Sequence, residues 1–114
     1  MERTTPTAKA VLTKAREILT PKKNWTQGTM ARNSEGYMTL LRNEEAVCFC
    51  ALGAVERAYY DLAGWDPSAA PQEVFDPLYE AVGEGGVALW NDRPSRTHEE
   101  VLAAFDRAIE ASDG

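Results

Sequence analysis

Apolar residues recur at helical spacing near the start of the chain. Ala8, Val11, Leu12, Ala15, Ile18 and Leu19 share one face, while Lys9, Thr13, Arg16 and Thr20 fall mostly outside it. This pattern predicts an amphipathic helix over 5–20, with Thr5 as cap, Pro6 at the first helical position and Pro21 as the stop. The next stretch, 21–43, is rich in turn formers and has no clear period. Trp25 is its expected anchor, and Gly28 and Gly36 mark turns. Within it, YMTLLRN fits a short strand and a helical turn equally well.

A second helix is predicted over 44–63. Asn43 would cap it, Glu44 and Glu45 would face the positive end of its dipole, and Gly64 would stop it. Gly53 would then lie mid-helix, at a cost of up to about 1 kcal/mol relative to Ala. Close approach of another backbone would account for it. WDPSAAP reads as a connector, and 71–83 as a shorter helix that Pro77 kinks or splits. GEGG is a break, and VALWND forms one or two helical turns or an extended strip. The last helix is better defined: Thr97 and Glu100 have capping-box spacing, and Val101, Leu102, Phe105 and Ile109 form its apolar stripe. Together these elements predict an all-α, compact single-domain bundle of about four helices over 1–114, with 21–43 irregular.

Composition narrows the function classes. A chain of 114 residues is long enough for one real core without disulfides or metal. The net charge of -6 argues against general nucleic-acid binding and against a polybasic membrane binder. No apolar run approaches the roughly 20 residues of a membrane span. Lys9, Lys14 and Arg16 interrupt the N-terminal segment where a signal peptide would be apolar, so a cytoplasmic location is expected. Charge is uneven: residues 1–43 hold eight Lys/Arg against three Asp/Glu, and 44–114 hold four against fifteen. The basic part is expected to pack beside the acidic part.

Three sequence blocks stand out together. They are Trp25-Thr26-Gln27-Gly28, Cys48-Phe49-Cys50-Ala51-Leu52-Gly53-Ala54, and Trp90-Asn91-Asp92 followed by Arg96-Thr97 and a terminal helix. This order resembles a family of small uncharacterised proteins from actinobacteria and their phages, a domain of unknown function. The resemblance runs from about residue 8 to residue 110. It implies such an origin, a host-cell cytoplasmic location for a phage protein, and no particular activity.

Candidate chemistry centres on the thiols. On a helix over 44–63, Cys48 would share a core stripe with Leu52, Val55, Tyr59 and Leu62. Cys50 would fall with Ala54, Arg57 and Asp61, where the dipole and Arg57 could lower its pKa. Cys50 with His98 as base and Asp92 or Asn91 as orienter is the one conceivable catalytic set, a hydrolase or redox-sensor reading. Against it, a small buried thiol packed on a neighbouring helix explains Cys50 more simply. Cys-x-Cys with a single histidine is no zinc signature, and no metal or cofactor is expected. Trp25, Gln27, Trp90, Asn91 and Asp92 could line a small-ligand pocket, although capping and core roles fit Asn91, Asp92 and Trp90 better. An exposed Tyr60 beside Phe49 and Glu56 would suit an interface. With no strong catalytic signature, the leading expectation is an acidic helical accessory protein that binds a protein partner or a second copy of itself.

Overall fold

The computed structural model describes residues 6–64, 70–83 and 85–112. Among them are five α-helices and one two-stranded sheet: α1 Ala8–Leu19, β1 Ala31–Arg32, β2 Cys48–Phe49, α2 Ala51–Ala63, α3 Asp76–Val82, α4 Val87–Asp92 and α5 His98–Ala111. The fold is therefore mostly helical rather than all-α.

The first helix buries most of its expected stripe and the last part of its own, with Leu102 and Ile109 only half-buried. Val11, Leu12, Ala15 and Leu19 of α1 are buried, and so are Val101, Ala104, Phe105 and Ala108 of α5. They pack with Ala51, Ala54, Val55 and Ala58 of α2 and with Leu78 of α3 into one core. On the surface, the Arg16 guanidinium ties α1 to α5 through Asp106, with Nε 2.6 Å from Oδ1. The cap of α1 is Thr7, whose hydroxyl accepts from Ala10 N at 3.1 Å; the helix starts later than the sequence suggests, and Thr5 lies outside the described residues. The capping box of α5 is formed from both sides: Glu100 N donates to Thr97 Oγ1 at 3.1 Å, and Thr97 N donates to Glu100 Oε1 at 2.9 Å.

The largest departure concerns 44–63. Only Ala51–Ala63 is helical, with Cys50 as the N-cap, while Cys48 and Phe49 form β2. Antiparallel pairing sets Ala31 opposite Phe49 and Arg32 opposite Cys48. The cause is long-range pairing that outweighs local propensity: Val47 N donates to Arg32 O at 2.9 Å and Cys50 N to Met30 O at 3.2 Å. Asn43 caps a turn instead, its Oδ1 accepting from Glu45 N at 2.8 Å. The late start of α2 puts Gly53 in its first turn rather than mid-helix, and a Cβ there would stand 2.2 Å from Met30 O. Backbone approach thus explains this glycine, as the sequence suggested.

Pro77 does split its segment. A 3-10 turn, Gln72–Val74, precedes α3, and Pro77 occupies the first turn of that helix, where a missing N–H is harmless. VALWND is helical as α4. Gly64 ends α2 with φ 94°, and its N–H donates to Tyr60 O at 2.9 Å. The connector after it, which includes Trp65, falls outside the described residues up to Ala70. No helix among the described residues is long and apolar enough to cross a membrane.

Candidate functional site

The three sequence blocks meet at Asn91. This side chain is fully buried, and each lone pair and proton of its amide has a partner. Its Oδ1 accepts from Trp25 Nε1 at 2.7 Å and from Ala51 N at 3.0 Å. Its Nδ2 donates to Thr26 O at 3.1 Å and to Asp92 Oδ1 at 2.9 Å. Gln27 reaches back across the same seam, its Nε2 donating to Asn91 O at 2.8 Å and to Arg93 O at 2.9 Å. Asp92 Oδ1 also accepts from Gly28 N at 2.9 Å. Trp25, Gln27, Asn91 and Asp92 are therefore together, but their polar atoms are turned on one another and on backbone. Asn91 sits in α4 with no left-handed backbone, so its role is cross-linking rather than the turn chemistry its residue type suggested. Asp92 makes no ion pair with Arg93 or Arg96 among the described residues; two N–H donors occupy its Oδ1 instead.

Both cysteines are free thiols. Cys50 is buried and accepts from Gly53 N at 3.3 Å, as the cap of α2. Burial pushes its pKa up, outweighing the hydrogen bonds from Gly53 and Leu52, and the nearby Asp92 charge pushes the same way. The expected lowering by the dipole and Arg57 is thus reversed. Arg57 is spent elsewhere, its Nη1 donating to Leu41 O at 2.9 Å and to Asn43 O at 3.2 Å. Cys48 is half-buried on β2, not on a helical core stripe, and lines an open cavity of about 690 Å³ with Lys23, Asn33 and Val47. His98 is half-buried rather than exposed. Its Nε2 lies 2.6 Å from Leu19 O, and its ring centroid is 6.2 Å from that of Trp25. Among the described residues no cluster of three or more His, Cys, Asp or Glu could hold a metal ion.

Tyr60 is buried, not exposed. It lies under the Arg42 guanidinium, whose carbon is 3.8 Å from the ring centroid, and its hydroxyl accepts from Arg42 and meets Glu56 Oε1 at 3.3 Å. The exposed apolar surface is instead on a hairpin that follows β1. Tyr37, Met38 and Leu40 are 67%, 70% and 80% exposed. The turn is firmly made: Asn33 N donates to Tyr37 O at 2.8 Å, Gly36 N to Asn33 O at 3.0 Å, and Thr39 N to Ala31 O at 3.1 Å. Gly36 takes φ 88°, which the tight loop requires.

Arg32 connects this hairpin to the buried seam. Its Nη1 donates to Gly36 O at 3.1 Å, while its Nε and Nη2 donate to Thr26 Oγ1 and Gln27 O at 2.8 and 3.1 Å. Beside the hairpin runs a cavity of about 500 Å³ lined by Thr29, Met30, Thr39, Leu40, Leu41, Arg42 and Glu56. Neither Arg32 nor Tyr37, Met38 and Leu40 stood out as site residues in the sequence. The available signal was an apolar run placed directly after the turn formers Asn33-Ser34-Glu35-Gly36, with no periodicity to bury it.

No curated protein and no solved structure matches the chain. A family profile does match, over residues 3–111, and so spans all three blocks and the hairpin between them: the chain belongs to the family of unknown function DUF6197.

Proposed function

We propose that this chain is an accessory protein that acts by binding another protein, and that Tyr37, Met38 and Leu40 are its contact residues. The observation that carries this reading is three large apolar side chains, within four residues of one another in sequence, exposed on a hairpin whose backbone is fixed by Arg32 and Asn33. Leaving such side chains exposed forfeits roughly 1.5–3 kcal/mol each relative to burial. A pre-ordered loop pays little further entropy on docking. The groove along Leu40 and Leu41, with Arg42 and Glu56 in its lining, offers an apolar floor with a charge of each sign. The actinobacterial or phage origin and the cytoplasmic site of action implied by the sequence blocks belong to this reading.

A photo-crosslinking amino acid at Met38, introduced in the native cell, tests it. A discrete crosslinked protein, lost when Leu40→Ser is added and absent with the crosslinker at exposed Glu17, supports the reading. Equal products from both positions, or none from Met38, overturns it. Sedimentation of the purified wild type and of a Tyr37→Ser/Met38→Ser/Leu40→Ser variant separates self-association from binding of a different protein.

A further inference from the structure

The turn that joins α4 to α5 carries two arginines in an otherwise acidic half of the chain. Arg96 is fixed in place. Its Nε donates to Trp90 O at 2.9 Å, its guanidinium carbon lies 4.0 Å from the Trp90 ring centroid, and its Nη1 is 3.5 Å from Glu100 Oε1. Arg93 is bound to the same turn by backbone alone: Arg96 N donates to Arg93 O at 2.9 Å. Among the described residues its guanidinium has no hydrogen-bond or ion-pair partner. The neighbouring Asp92 makes no ion pair with it among the described residues; its Oδ1 is turned to Gly28 N and Asn91 Nδ2. Between the two arginines lies a cavity of about 320 Å³, closed by Trp90, Val82 and Leu89. Leu89 is 72% exposed and forms its apolar lip.

We infer that this cavity is a binding site for a carboxylate carried beside an apolar or aromatic group. The unspent Arg93 guanidinium suits a planar oxyanion, for which an arginine fork is the matching donor, and the pre-oriented Arg96 adds its charge and its Nη2 donors. Stacking on Trp90, with Nε on Trp90 O and Nη1 beside Glu100, leaves Arg96 Nη2 for the ligand. Val82 and Leu89 supply the surface on which an attached side chain would lie. The volume corresponds to a group the size of a single amino-acid residue, at the small end of ligand pockets. The inference is independent of the hairpin, since none of its residues lines that surface.

Nuclear magnetic resonance of the indole and arginine Nε–H groups tests it, with N-acetylphenylalanine as the probe. The free acid is expected to shift the Trp90 and Arg96 signals saturably, and its amide to leave them unmoved. Arg93→Gln, whose wild-type side chain supports no described contact, should retain the spectrum of the fold and weaken the probe by about tenfold or more. Equal shifts from acid and amide, saturation by inorganic phosphate as readily as by the acid, or undiminished binding in Arg93→Gln each overturns the site. An amidated peptide with an internal Asp-Phe step distinguishes the ligand's source. Binding comparable to the free acid assigns the site to a protein partner, and binding of the free acid alone assigns it to a small molecule.

Discussion

Asn91 Oδ1 receives Trp25 Nε1 and Ala51 N at the same time, at 2.7 and 3.0 Å, so one buried amide joins the start of α2 to a loop that lies 66 residues before Asn91 in sequence. Asn91→Ala would leave both donors without a partner. A loss of about 1–3 kcal/mol for each orphaned group is expected, read as a lower urea midpoint with the slope unchanged. Asn91→Asp should be worse at neutral pH than in mild acid, because an ionised carboxylate cannot donate to Thr26 O or Asp92 Oδ1. An unshifted midpoint in Asn91→Ala would remove Asn91 from its place at the centre of the seam.

Gly53→Ala sets two effects against each other. Helix propensity favours Ala by about 1 kcal/mol. The new Cβ, however, would stand 2.2 Å from the Met30 carbonyl oxygen, which is backbone and holds Cys50 N. Overpacking of this kind costs about 1–3 kcal/mol, so thermal unfolding should move to lower temperature. A rise in Tm would show that β1 yields easily.

The thiols should differ under alkylation. Cys48 faces an open cavity, whereas Cys50 is buried with its pKa raised by desolvation. Iodoacetamide should therefore modify native Cys48 first, with Cys50 following only as fast as the N-terminus of α2 opens. Because the folded pKa of Cys50 is raised, its contribution to stability is complete below the unfolded thiol pKa and is lost as pH rises through the folded value. Preferential labelling of Cys50 in the native state would restore the thiol-enzyme reading. Cys50→Ser, which keeps an acceptor for Gly53 N, should be tolerated better than Cys50→Ala.

Acid should act on the other cap. The hydrogen bond from Thr97 N, helped by the Arg96 charge, holds the Glu100 carboxyl below its usual range. Its stabilising contribution is therefore present above the unfolded carboxylate pKa and is lost as pH falls through the lowered folded value. Glu100→Gln keeps an acceptor for Thr97 N and should change little at neutral pH, while flattening the acid limb of stability against pH. An unchanged acid limb would mean that the carboxylate charge is not used.

The helical layout was legible where the period was carried by locally sufficient signals. Val11, Leu12, Ala15 and Leu19 are buried as their spacing requires, Val101 and Phe105 are buried with Ala104 and Ala108 in place of Leu102 and Ile109, and Thr97 and Glu100 cap as their spacing requires. The stretch from Glu44 to Cys50 is compatible with a helix, but Asn43 turns the chain over Glu44 and Glu45, and pairing of Val47 and Cys50 with Arg32 and Met30, distant in sequence, makes the rest extended. The same pairing makes Cys50 the cap of α2 instead of a residue on a helical face. The convergence of Trp25, Gln27, Asn91 and Asp92 could be guessed from their residue types, but not their hydrogen bonds, which are satisfied within the fold. Tyr60 is buried against expectation because Arg42 covers it, while Tyr37, for which the sequence carries no signal of its own, is exposed.

The Arg32 staple has a consequence for synthesis. The hairpin's own turn is local, but Arg32 holds it to Thr26 and Gln27, and that loop is held by Asn91 and Arg93. A nascent chain that has not yet emerged past residue 93 has the apolar tip but not its anchor. Such a chain displays sticky residues on a floppy loop, whereas the finished protein presents them in one orientation. On the proposed reading of the hairpin as a contact surface, a fragment that stops short of α4 should therefore bind more weakly than the whole chain.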